Sequence, residues 1–303
     1  MSPGERREWL RCRLHSGPLV LAPGVFDALS ARLVERCGFE ATYASGGAIA
    51  RALGFPDLGL VTLTEMAEAL RRICRCTRLP VVADADTGYG GPLNVHRTVE
   101  EWERAGVAAL HLEDQAFPKR CGWYTGISLV SCEEMRGRVR AALEARREGV
   151  VVIARTDARA VEGLEGALRR AVAYAEAGAE ALFVQGLASL AEVEHAARRL
   201  PRPLVVNVPP GARWSVAQLE GAGCRLAIYP AELQRAALAA MRSAARSLRE
   251  FGFVDGVALA SQEERDALVN TSDWRALADR AEGAGGQSLP SGTSGRGEGE
   301  GDF

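Results

Sequence analysis

Eight short runs of apolar and β-branched residues recur along the first 230 positions, and each closes on polar or glycine-rich residues. They are PLVLAPGVFD from Pro18, FEATYASGG from Phe39, LPVVADADTGYG from Leu79, VAALHLEDQ from Val107, VVVIARTDA from Val150, AEALFVQG from Ala179, RPLVVNVPP from Arg202 and CRLAIYP from Cys224. Between them lie amphipathic stretches such as DALSARLVERCG, LTEMAEALRRICRC, VHRTVEEWERAG and LEGALRRAVAYAEAGA. Cys37-Gly38, Ala105-Gly106 and Ala177-Gly178 read as helix ends, where glycine adopts the left-handed cap at no steric cost. Strand runs buried on both faces and alternating with helices form βα units around a parallel sheet. Eight such units predict an α/β fold, a closed (β/α)8 TIM-type barrel over residues 1–230. No GxGxxG follows the first strand and no Walker lysine is found, against the nucleotide-binding alternatives.

After Pro230 the pattern turns helical. AELQRAALAAMRSAARSLREFG predicts one long helix and SQEERDALVNTSDWRALADRAEG one or two more. The segment 231–282 is expected to serve contacts between subunits. Residues 283–303 are Gly/Ser-rich without apolar periodicity and are expected to lack fixed structure.

Composition narrows the class. Charged residues make up 25% and the net charge is −2, so neither a nucleic-acid partner nor a basic membrane face is expected. No apolar run is long enough to span a bilayer, and the basic N-terminus is too Gly/Pro-broken for a signal peptide. The seven cysteines include no CxxC pair and are read as reduced thiols of a cytoplasmic protein. Of 37 basic residues only Lys119 is a lysine. In a chain that uses arginine wherever a generic cation suffices, a retained lysine either survives by chance on a loop or supplies a compact ammonium.

The active face of such a barrel lies at the C-terminal strand ends. The polar residues there are Tyr43, Ser45, Gly46, Gly47, Asp84, Asp86, Glu113, Asp114, Arg155, Asp157, Gln185, Asn207 and Tyr229. Asp84 and Asp86 project to the same side of one strand, because side chains alternate, and Glu113 stands at the mouth of the next. Clustered carboxylates without a Cys/His pair point to Mg²⁺, or Mn²⁺, rather than zinc. Any one of these acids taken alone also fits a helix cap. Ser45-Gly46-Gly47 offers backbone N–H groups to a carboxylate, or is simply a turn. His111 reads as a packed strand residue. No role is assigned to His15, His96, His195, Cys74 or Cys76.

At these residues the sequence resembles the isocitrate lyase / phosphoenolpyruvate mutase superfamily, particularly its methylisocitrate lyase-like and carboxyphosphonoenolpyruvate mutase-like members. The matching motifs are PGVFDALSARL, YASGGAIA, LGFPDLGLVT, VVADADTGYG, HLEDQAFPKRCG, IARTDAR and AIYP, in order from about residue 20 to residue 230. The resemblance implies that Asp86, with Asp84 and Glu113 acting directly or through water, holds Mg²⁺. It implies that Tyr43, Ser45, Gly46, Gly47 and Arg155 bind the oxo-acid or 2-hydroxy-acid end of a small carboxylate, with Asp57 nearby. The resemblance also implies that Lys119 and Cys121 sit on a mobile loop, with the thiol as the acid that protonates the departing carbanion. By the same resemblance Gly122 is expected to line the substrate and Asn207 to contact its second carboxylate. It further implies a homotetramer whose C-terminal helices are swapped between subunits.

Two residues depart from the family pattern. Trp123 stands where the loop usually continues KxCGH, and Gln185 stands where a strand usually reads LFxEG. Both fall on the distal part of the substrate, which is expected to differ from methylisocitrate by an apolar substituent. The expected activity is Mg²⁺-dependent C–C cleavage of a small 2-hydroxy di- or tricarboxylate, methylisocitrate- or dimethylmalate-like, to an oxo acid and a second acid. The alternatives are P–C bond chemistry, oxaloacetate-type hydrolysis or decarboxylation, and a catalytically silent acid-binding barrel.

Overall fold

All eight apolar runs are strands, and each pairs in parallel with its chain neighbours to close a barrel in the order β1 to β8, with β8 returning to β1. The strands are β1 Val20–Val25, β2 Thr42–Ala44, β3 Val81–Asp84, β4 Ala109–Glu113, β5 Val151–Thr156, β6 Ala181–Val184, β7 Leu204–Asn207 and β8 Cys224–Tyr229. This computed structural model describes residues 1–285. The tail expected to lack fixed structure lies, from residue 286, outside the described residues. The chain forms one compact unit over Met1–Val257 and a second beginning at Ala258.

Two cores account for the architecture. Outward-facing strand residues pack on the surrounding helices in one large cluster that includes Val81, Ala83, Leu110, Val152 and Leu182 together with Leu70, Trp102 and Val139. Inward-facing residues fill the barrel: Val20, Val82, Ile153, Val205 and Leu226, among others. The helices α2 Ala28–Arg36, α4 Leu63–Cys76, α5 Pro92–Ala105 and α7 Arg159–Glu176 coincide with the amphipathic stretches. Gly106 ends α5 with φ 91°, the left-handed conformation that its Ala-Gly signal called for.

The N-terminal segment forms a helix that the polar/apolar pattern did not disclose. α1 (Pro3–His15) starts from a capping box in which Ser2 and Glu5 satisfy each other's backbone N–H groups. Its Leu10 and Leu14 join the interior cluster and close the N-terminal end of the barrel. Arg7, only 2% exposed, ties the helix down through the carbonyls of Val107 and Glu103 and the Glu148 carboxylate. With the lower end plugged, the usable opening is the C-terminal mouth.

α10 (Glu232–Phe251) packs against β1 within the first unit. The second unit contains α11 (Gln262–Leu268) and α12 (Thr271–Gly285). No helix among the described residues is long and apolar enough to cross a membrane.

Candidate active site

Strand register assembles the site. In the β4–β5 ladder Glu113 is level with Arg155, and in the β3–β4 ladder Asp84 is level with His111. Three backbone supports fix the strand ends. Trp102 of α5 donates its indole N–H to the Asp84 carbonyl at 3.1 Å. Arg138, on α6 (Cys132–Ala145), is almost fully buried and donates to the carbonyls of Thr87 and Gln115. Asp114 accepts from Thr156, Tyr174 and the Asp157 N–H, so this acid builds the β5 turn rather than facing the cavity.

Around the mouth lies a cavity of about 390 Å³ lined by Tyr43, Ser45, Gly47, Asp57, Asp84, Lys119, Cys121, Gly122, Trp123, Arg155, Gln185 and Asn207, among others. Gly46, Asp86 and Glu113 are not part of this lining but adjoin Asp84, Lys119 and Arg155, which are. Ser45 caps α3 (Gly46–Ala52) through the Ala48 N–H, and the two glycines make its first turn. A Cβ on Gly46 would approach Asp84 Oδ2 to 2.7 Å, and one on Gly47 would approach Asp57 Oδ2 to 2.5 Å. Only glycine allows the helix to lie this close to both carboxylates.

The loop after β4 carries the only lysine. Gln115 holds it by a two-way amide clamp, donating to the Arg120 carbonyl and accepting from the Arg120 N–H, both at 2.9 Å. Lys119 is thereby turned inward, 5% exposed, with Nζ 2.5 Å from Asp57 Oδ1 and 2.7 Å from Asp86 Oδ1. Burial disfavours its charge, but Asp86, Glu113, Asp84 and Asp57 outweigh this and hold the ammonium well above its ordinary value. Lys119 is thus a buried, doubly paired ammonium and not an exposed surface cation. Cys121 follows, half-buried, and burial raises its thiol above the ordinary range. A Cβ on Gly122 would meet Arg155, Asp157 and Gln185, each at 2.7 Å, so the loop backbone rests directly on these residues. On its other side, Trp123 to Ile127 line a separate outer cavity of about 470 Å³.

The floor is a cluster of buried charges. Arg155 makes a bidentate contact with Asp157 at 2.9 Å and stands 3.1 Å from Glu113 Oε2. Tyr43 Oη is 2.9 Å from His111 Nε2 and donates to Asp84 at 3.4 Å. Burial lowers His111 to about 4, so it is neutral at pH 7. Burial also works to raise Asp84, but His111, Lys119 and Arg155 hold it down at about 2. Burial raises Asp86 to about 6 despite Lys119, and lifts Glu113 well above the usual carboxylate range despite Arg155. Five buried acids (Asp57, Asp84, Asp86, Glu113 and Asp157) thus face two cations.

That excess of carboxylate, together with two Glu113 oxygens that accept no hydrogen bond, suits a hard divalent cation. Among the described residues no three His, Cys, Asp or Glu side chains already stand in a metal-ligating group. The Asp86 N–H donates to Asp84 Oδ1 at 3.0 Å and Glu113 stands beside Arg155, so an ion held by these acids would be reached in part through water. Mg²⁺ characteristically keeps several waters.

The distal wall is different. Asn207 donates to Gln185 Oε1 at 3.2 Å, and around this amide pair stand Phe183, Val208 and Ile228. Trp123, 45% exposed, covers the same side. Three participants were not assigned a site role from sequence: His111, Gln115 and Asp157. His111 follows the strand alternation that leads to Glu113, two residues on, so its inward direction was readable. The Gln115–Arg120 clamp and the Arg155–Asp157 pair depend on the loop geometry.

Comparison with known proteins gives a consistent picture. The chain matches the phosphoenolpyruvate phosphomutase family over residues 10–249. It is 43% identical over 286 residues to a 2-methylisocitrate lyase of Aeropyrum pernix, covering 89% of this chain and 92% of the relative. It is 42% identical over 226 residues to the 2,3-dimethylmalate lyase of Eubacterium barkeri, covering 73% and 78%. Among solved structures it is similar to phosphonopyruvate hydrolase in complex with oxalate and Mg²⁺, with a TM-score of 0.83, 32% identity and coverage of 92% and 99%.

Proposed function

The chain belongs to the isocitrate lyase / phosphoenolpyruvate mutase superfamily, and from that premise we propose that it is a divalent-cation-dependent lyase cleaving a C–C bond of a small 2-hydroxy dicarboxylate. The observation that carries this reading is the meeting at one cavity of Asp84, the inward ammonium of Lys119 and the protonated thiol of Cys121, with buried Asp86 and Glu113 paired to the cavity's Lys119 and Arg155. The superfamily hydrolase solved with Mg²⁺ supports a divalent metal, and the all-oxygen donor set favours Mg²⁺, with Mn²⁺ able to substitute.

When bound through Asp84, Asp86 and Glu113, in part by way of water, the cation supplies polarisation of the substrate's 2-hydroxyl and charge stabilisation for the forming oxo acid. The chain's own groups do the rest. The first turn of α3 and Arg155 receive the 2-hydroxy-acid end. Burial pushes the Tyr43 phenol well above its ordinary value, so Tyr43 stays protonated and serves as a donor. That leaves Asp57 as the acceptor of the hydroxyl proton. As this proton leaves, the C–O bond becomes C=O and the adjacent C–C bond breaks, its electron pair passing to the fragment stabilised by the second carboxylate. Lys119 holds that charge, and the Cys121 thiol returns a proton to the carbanion. The products are an oxo acid and a second carboxylic acid. Gly122 and Trp123 keep water from the reacting atoms, where fixed charges act through low dielectric.

The distal wall supports a finer reading. Lys119 and Arg155 are already engaged by carboxylates, while Gln185 and Asn207 are neutral and their neighbours apolar. This suits a dicarboxylate with alkyl substituents, of the dimethylmalate kind, over a tricarboxylate. The seven free cysteines agree with reduced thiols and a cytoplasmic location. The exposed apolar stripe of α10 agrees with a homo-oligomer, for which a tetramer is proposed.

The test is product analysis by NMR with Mg²⁺, with and without EDTA. The panel contains 2,3-dimethylmalate, 2-methylisocitrate, oxaloacetate and phosphonopyruvate. We expect an oxo acid and a second acid from the hydroxy acids, highest kcat/KM on dimethylmalate, and loss of turnover in EDTA. Phosphate release from phosphonopyruvate alone would move the chemistry to the P–C bond. Silence on all four substrates would sink the lyase reading.

A further inference from the structure

The turn after β3 holds two non-glycine residues in the left-handed region, Asp86 at φ 45° and Tyr89 at φ 60°. For a bulky aromatic residue this is a true outlier, costing about 1–3 kcal/mol. Tyr89 is flanked by Gly88 and Gly90, residues for which such a conformation is free, yet the strained position between them carries a phenol. The ring packs on Trp102 at a centroid distance of 5.8 Å, and this contact would be available equally to phenylalanine. The hydroxyl is buried and has no hydrogen-bond partner. A buried unsatisfied hydroxyl adds a second cost. The left-handed backbone sets this ring against Trp102, and the buried hydroxyl is a cost that phenylalanine would not carry.

The surroundings of that hydroxyl indicate its use. Asp86 is the charge acting on it most strongly, followed by Asp84, Lys119 and Glu113. Both carboxylate oxygens of Glu113 are likewise buried without a hydrogen bond. Tyr89 follows Asp86 by three residues and its ring lies on Trp102, whose indole N–H holds the Asp84 carbonyl, so the orphaned hydroxyl belongs to the neighbourhood of the carboxylates assigned to the cation. A neutral phenol is a poor direct ligand for a hard ion, but it is a good partner for a water that such an ion holds.

We propose that Tyr89 is a positioning residue of the cation site, its hydroxyl hydrogen-bonding a water of the hydrated cation held by Asp84, Asp86 and Glu113. This rests on the proposed cation dependence and adds a residue to it. The strained turn serves to bring the phenol in beside the carboxylates, so its cost is recovered only when the hydrated ion is present.

The experiment compares full-length wild type with Tyr89→Phe in the absence of substrate. Mn²⁺ and Mg²⁺ affinity is measured by isothermal titration calorimetry, and thermal melts are recorded in EDTA. Tyr89→Phe keeps the ring against Trp102, and circular dichroism checks the fold. We expect cation affinity to fall about tenfold, within the range for loss of an outer-shell partner, and the EDTA melting temperature to stay level or rise. Unchanged affinity in the variant, with normal binding by wild type, overturns the role of Tyr89 alone. A lower EDTA melting temperature also overturns it, because the hydroxyl would then have its partner inside the fold. Absence of cation binding by wild type overturns the cation site itself.

Discussion

At the scale of single residues, the site works by keeping charges buried and committed before substrate arrives. Lys119 bridges Asp57 and Asp86, and Arg155 bridges Asp157 and Glu113. Arginine at 119 would bring a planar fork where a compact ammonium fits between two carboxylates, which accounts for lysine here in a chain otherwise built with arginine. Cys121 gives a pH prediction. Burial raises its thiol, and the proposed role needs the protonated form, so activity persists through neutral pH and falls as pH rises through the raised value. The basic limb of kcat is therefore expected above the ordinary thiol range of about 8.5. In Cys121→Ser that limb should vanish, with kcat lower by about 10²–10⁴-fold. A pH–rate profile of both proteins checks this, and a basic limb that survives in the serine variant would remove Cys121 from the role of acid. The sequence carried both residues in its PKRCG motif, but not the direction in which their side chains point. That direction comes from the Gln115 clamp, a contact between a strand end and its own loop.

Among the elements, strands and helices were legible because each type imposes its own period on the apolar positions. β2 has only three residues and α3 only seven. The start of α3 was read as a Ser-Gly-Gly stretch that offers backbone N–H groups to a carboxylate or makes a turn, since seven residues and two glycines give no helical period. α1 was missed because its mean apolar character is low and its buried side includes Arg7. Its contribution is nonetheless substantial. Leu10 is fully buried inside the barrel floor. Leu10→Ala should cost about 2–5 kcal/mol through lost transfer energy and a residual cavity. Because α1 closes the end opposite the catalytic mouth, KM and kcat per folded molecule should hold. Urea unfolding followed by kinetics on the same preparation measures both, and an equal loss of kcat would mean that α1 also shapes the site.

For the whole molecule, the apolar positions Leu238, Met241, Leu248 and Phe251 form a stripe on α10 at helical spacing, each more than half exposed. A homotetramer would cover it. Light scattering after size exclusion is expected to give four times the 32.3 kDa chain mass, with Met241→Glu shifting the distribution to smaller species. A monomer at micromolar concentration would contradict that assembly. The sequence by itself determined the barrel, the carboxylate-rich strand ends at its mouth and the family, because strand alternation and motif order are local properties of the chain. It also marked Trp123 and Gln185 as a distal wall of unusual composition. Only the tertiary structure decided how the charges are shared: that Lys119 lies between Asp57 and Asp86, that His111 stays neutral under Tyr43, and that Asp114 supports β5 instead of facing substrate. The physical reason is that pairing and burial arise between residues far apart in sequence, where barrel closure and register, not spacing along the chain, set the distance.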